Sequence, residues 1–180
     1  MSPDKKKANT KRGSKFLAPL IIVILVLISL APICTRLTLR GYDSGKLMLA
    51  LPIEEGERFK LRFTHSVNLS HVTDEIEWTG KQLITRTSLF TSFGAGMPVI
   101  ADGIGTEMHN TEEGFLITGI DQVQEDNFIP IMLQEVPDHH LIYRGEEISL
   151  REEAQGTAFV KLSVEKINVF SALVNNIPRK

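Results

Sequence analysis

Residues 62–78, RFTHSVNLSHVTDEIEW, place side chains capable of chemistry on what otherwise reads as apolar sheet. Alternation puts Phe59, Leu61, Phe63 and His65 on one face of a strand, with Lys60, Arg62, Thr64 and Ser66 on the other. In the next run Val72, Asp74, Ile76 and Trp78 share a face. With residues 67–70 as a four-residue loop, Phe59 opposes Trp78, Leu61 opposes Ile76, Phe63 opposes Asp74 and His65 opposes Val72. With Thr79-Gly80 as the following turn, Asp74 opposes Thr85 and Ile76 opposes Leu83. His65 and Asp74 are then diagonal neighbours, with main chains about 7–8 Å apart and Thr85 beside them. An imidazole next to a carboxylate on an apolar face has three readings. It is a buried hydrogen-bonded pair, the polar part of a small-ligand pocket, or a solvated strand end.

Other chemistry finds less support. Ser66 follows His65 directly, so on a strand the two point to opposite faces. No G-x-S-x-G elbow is present, and the single cysteine, Cys34, belongs to an apolar segment. No catalytic residue is assigned, and the chain is read as a non-enzyme. His71 and Asp74 fall on opposite faces, and the spacing of His65, His71 and Asp74 matches no zinc motif; neither metal nor cofactor is expected. The run SFGAGMPVIADGIG carries Gly94, Gly96, Gly103 and Gly105, but no evident helix follows to aim its N-terminus at a phosphate. It reads as a loop with unusual dihedrals, whose tip at Met97 and Pro98 also suits a partner contact or a pocket wall.

The elements that must hold these residues begin with an appendage. Residues 1–15 carry six Lys or Arg and one Asp, a formal charge of +5, and residues 16–34 carry no charge. Nineteen residues of helix span about 28 Å, close to the roughly 30 Å hydrocarbon core of a bilayer. The run is longer than a signal-peptide core, and Pro32 would follow the small-x-small pattern Ser29-Leu30-Ala31, so a retained anchor is expected over a cleaved signal. The basic tail then stays cytoplasmic in a single-pass membrane protein, next to anionic lipid, and the rest lies outside. Residues 35–180 carry a formal charge of about −7, which argues against nucleic acid as a partner. They contain no cysteine, so the external domain relies on its core rather than on disulfides.

Residues 35–45 read as a connector, and residues 46–180 as an extracytoplasmic β domain. Candidate strands cover residues 46–51, 58–66, 71–78, 82–93, 115–120, 128–133, 141–143, 147–150 and 158–167, separated by X-Gly turns. Residues 170–175 suggest a terminal helical turn. The fold class is all-β, an antiparallel sandwich or barrel-like domain behind one N-terminal transmembrane helix.

His65-Ser66-Val67, Asp74 nine residues on, and Ser92-Phe93-Gly94-Ala95-Gly96-Met97-Pro98 together resemble a bacterial domain-of-unknown-function family, number 1850. The stretch HHLIYRGEEISL is similar to that family's later His-x-Leu strand, which selects His139, Leu141 and Gly145. The resemblance spans roughly residues 46–167, with Asn68 and His71 replacing the Glu and Pro frequent in the first loop. It implies no established activity. It implies a transport-accessory role, because family members resemble companions of tripartite ATP-independent periplasmic (TRAP) transporters of the TAXI type. The expected partners are that transporter's membrane subunit or its solute-binding protein, with an independent ligand-binding module as the alternative.

Overall fold

The computed structural model describes residues 14–67, 69–92 and 105–174. It opens with helix α1 (Ser14–Leu30). Nine consecutive residues, 20–28, are all exposed, and successive helical residues are turned by about 100°, so apolar side chains ring the helix. The large apolar residues from Leu17 to Leu30 are between 45% and 62% exposed. Among the described residues no helix is long and apolar enough to cross a membrane. α1 has 17 residues.

The expected connector is a strand. β1 (Cys34–Gly41) follows α1 after three intervening residues and buries Leu37 and Leu39. Its Thr-Arg-Leu-Thr-Leu-Arg alternation turns both leucines inward, which gives the segment a place in the core. The other elements are β2 (Leu47–Pro52), β3 (Arg58–Thr64), β4 (His71–Trp78), β5 (Leu83–Phe90), β6 (Glu107–Thr111), β7 (Gly114–Thr118) and β8 (Gln122–Val123). They continue with β9 (Phe128–Met132), β10 (His140–Tyr143), β11 (Glu146–Ser149), α2 (Leu150–Ala154), β12 (Phe159–Ile167) and α3 (Val169–Val174).

The strands make two antiparallel sheets. The short sheet runs β2-β1-β12-β9, and the long one β11-β10-β3-β4-β5-β7-β6, with β8 also on β5. The main core lies between them. Leu37, Leu39, Leu49, Val160 and Leu162 from the short sheet meet Phe59, Leu61, Ile76, Leu83, Leu141 and Ile148 from the long one. This is a β-sandwich-like, all-β arrangement. α2 adds Leu150 and Ala154 to the core, and its Ser149 side chain accepts from the Glu152 N–H as an N-cap. The long sheet carries a second apolar cluster of Val72, Phe90 and Ile117, with Phe63, Met108, Phe115 and Ile120 partly buried against it. A third cluster joins Ala50 and Ile167 to Ala172 of α3.

Candidate functional site

The β3–β4 hairpin keeps the expected faces but not the expected partners. Phe59 opposes Ile76, Leu61 opposes Asp74 and Phe63 opposes Val72. The loop begins one residue early. The His65 N–H donates to the Ser70 carbonyl (2.8 Å) and the Leu69 N–H to the His65 carbonyl (2.9 Å). Leu69 takes a positive φ of 53° to close it. Moving a four-residue loop by one position shifts every pair by two residues, which preserves the faces.

Next, β4 and β5 pair regularly from Trp78↔Leu83 to Ile76↔Thr85. A bulge follows, because Glu75 opposes Thr87. Arg86 is the extra residue, and its guanidinium reaches Glu77 (3.1 Å) and Asp121 instead. Beyond the bulge Asp74 opposes Ser88 and Val72 opposes Phe90.

These two register changes redraw the site. Asp74 does not meet His65; its Oδ1 accepts from the Ser88 hydroxyl at 2.6 Å. Burial pushes the Asp74 pKa up, and the Ser88 hydrogen bond opposes the shift. Thr85 opposes Ile76, is buried, and accepts from Gln124 Nε2 at 2.8 Å. His65 sits in the loop, where its Nδ1 accepts from the Val67 N–H at 3.4 Å, and Ser66 is exposed. Gly94, Gly96, Met97 and Pro98 lie outside the described residues.

His139 does reach the same face. It precedes His140, which pairs with Arg62, and its ring stacks on Phe63 with centroids 5.5 Å apart. Its Nδ1 is buried and unbonded. Burial lowers the His139 pKa, and the Pro137 carbonyl and Asp138 pull the other way without supplying Nδ1 with a well-formed hydrogen bond. Two adjacent rungs therefore form the candidate site. One holds Phe63, Val72, Phe90 and Phe115 with His139 at its end; the other holds Leu61, Asp74, Ser88 and Ile117. Phe63, Asp74, Ser88, Phe115 and His139 are all half-buried.

The arrangement gathers few polar groups. It offers one carboxyl, one hydroxyl and one imidazole on an aromatic floor, with no nucleophile–base pair among them. Among the described residues no three His, Cys, Asp or Glu side chains converge as a metal site. Two other concavities lie elsewhere. A 520 Å³ groove on the outer face runs between Lys60, Thr73, Leu89 and Leu116, and a 590 Å³ cleft at the sandwich end is lined by Trp78, Ile53 and Val164. Glu75 in the groove is already bound by Arg58 at 3.0 Å, and neither hollow includes Asp74 or His139.

A match to the family described as domain of unknown function (DUF1850) covers residues 59–150. The chain belongs to this family. The DUF1850 segment starts at the second residue of β3 and ends at the first residue of α2, so it contains both rungs of the site and all of the long sheet but Arg58. The strands outside it, β1, β2 and β12, belong to the short sheet. No curated protein and no solved structure matches the chain.

Proposed function

We propose that this DUF1850 protein is a single-pass, membrane-anchored binding domain that serves as an accessory of a solute transporter of the TRAP (TAXI) type. Residues 16–34 hold it to the bilayer, the basic tail stays cytoplasmic, and the β domain works outside the cell membrane. The observation that carries the reading is the apolar surface of α1, whose large side chains from Leu17 to Leu30 are all at least 45% exposed. The uncharged residues Ala31, Pro32 and Ile33 extend that apolar run beyond the helix end. Burying side chains of this kind is worth about 1.5–3 kcal/mol each, which favours a lipid environment over water. The transporter partner comes from the resemblance around His65, Asp74 and residues 92–98.

Two measurements test this. Protease added to intact spheroplasts should digest the β domain and spare the tail; full protection of the domain refutes the topology. Purification of the tagged full chain from detergent-solubilised membranes should recover a transporter membrane subunit or a solute-binding protein; recovery of the chain alone refutes the accessory role. A second reading is an independent small-ligand-binding module, favoured by the Asp74–Ser88 pair on a half-buried aromatic floor. A ligand that raises Tm in the absence of partners would select it.

A further inference from the structure

α3 follows the last strand after a single residue, Asn168, whose Oδ1 accepts from the Ser171 N–H at 2.8 Å and starts the helix. Its six residues divide into two faces. Ala172 is buried against Ala50 and Ile167, on the face of the short sheet turned away from the main core. Phe170, Leu173 and Val174 are 67%, 71% and 62% exposed. They stand at i, i+3 and i+4, the spacing of one helical stripe. A helix that buries an alanine and shows water a phenylalanine, a leucine and a valine is turned the wrong way for an isolated soluble domain.

Its position supplies the missing surface. Cys34, the first residue of β1, pairs with Ile167, the last residue of β12. α1 ends four residues before that rung and α3 begins two residues after it. The four Cα steps from Leu30 to Cys34 span at most about 14 Å, and α3 starts just across that rung, so the two helices leave the same edge of the short sheet. The two helices touch. Ile33, between them in the chain path, is 58% exposed and continues the apolar surface from α1 toward α3.

We propose that the Phe170–Leu173–Val174 stripe is a lipid-contact surface: α3 lies in the bilayer interface at the foot of the anchor and fixes how the sandwich stands on the membrane. Amphipathic segments enter the headgroup boundary by about 5–10 Å, and contact with α1 holds α3 next to the outer end of the anchor. A helix this short would bind a bilayer weakly alone, but the anchor holds it at the surface, so little of its contact energy goes into capture. This inference rests on the anchor reading, since it places the outer end of α1 at the membrane surface.

The test uses the full chain in liposomes of mixed neutral and anionic phospholipid, with Cys34→Ser as background and one spin label per variant, at Val23→Cys, Leu173→Cys, Phe170→Cys or Val123→Cys. Collision with membrane-dissolved oxygen and with a water-soluble nickel chelate is measured for each. The expected result is oxygen-dominated access at positions 23, 173 and 170, and nickel-dominated access at position 123, which is exposed on β8. Oxygen at 23 but nickel at both 173 and 170 overturns the α3 contact and leaves the anchor standing. Nickel at position 23 overturns the anchor reading, and the α3 proposal with it. Protection of 173 and 170 from both reagents, with inter-label broadening, overturns lipid in favour of a second copy.

Discussion

Replacing Asp74 by Asn separates the carboxylate's charge from its hydrogen bond. Asn keeps an oxygen for the Ser88 hydroxyl, now 2.6 Å from Asp74 Oδ1, and removes the ionisation. Burial raises the folded-state pKa of Asp74 above its ordinary value of 3.8. The carboxyl's contribution to stability is therefore fully present below pH 3.8 and is lost as pH rises through the folded pKa. Each unit of elevation removes about 1.4 kcal/mol by neutral pH. The Asn variant lacks that loss. Its unfolding free energy, from urea titrations at half-unit pH steps, should equal that of the parent near pH 3. It should then exceed the parent's by a margin that opens above pH 3.8 and levels off beyond the native pKa. A margin that is constant with pH, or that turns negative on the alkaline side, would refute the argument. The carboxylate would then be held ionised by something other than Ser88.

Three further outcomes follow from the geometry. The double change His65→Ala plus Asp74→Ala should be additive within about 0.3–0.5 kcal/mol, whereas Asp74→Ala plus Ser88→Ala should show a coupling of about 0.5–3 kcal/mol in a denaturation cycle. His139 is depressed by burial from 6.5, so its contribution is intact above that value and is lost as pH falls toward the native pKa. Its proton NMR titration should have a midpoint below 6.5, and His139→Gln should flatten the acid side of the stability profile. Gly114 has a φ of 138°, and a Cβ there would stand 2.4 Å from the Phe90 carbonyl oxygen. Gly114→Ala should cost about 1–3 kcal/mol and lower Tm visibly; an unchanged Tm would show that the β5–β7 junction can shift.

The sequence was legible where its signal was local. Strand-forming alternation and X-Gly turns locate nine of the strands, and the His71–Trp78 strand has the expected bounds. The face of Asp74 was also readable, because parity survives a two-residue slip. Its partner was not. The loop at His65 could close from either of two neighbouring positions, and the backbone bonds to Ser70 and Leu69 decide between them. The bulge at Arg86 left a trace: Leu83 and Thr85 keep one phase, and Ser88 and Phe90 keep the opposite one, all on the inner face. That change of phase in LITRTSLF was the available signal for Ser88. β1 was missed because its own alternation was subordinated to the apolar run just before it. Its role in the core depends on pairing with β12, more than a hundred residues away.

The three-residue junction between α1 and β1 has a mechanical consequence. A domain hung on a long linker feels little of what happens to its anchor. Here tension on α1 is delivered at Cys34, along the length of an inner strand that is hydrogen-bonded on both sides. Pulling along such a strand loads its ladder in shear, from the Cys34–Ile167 rung to the Gly41–Val160 rung, so many bonds resist together instead of opening one by one. The junction is short, and it joins α1 directly to the strand that carries Leu37 and Leu39 into the core. A force that displaces α1 would therefore be felt at once in the sheet, and a force on the sandwich would pull directly on α1.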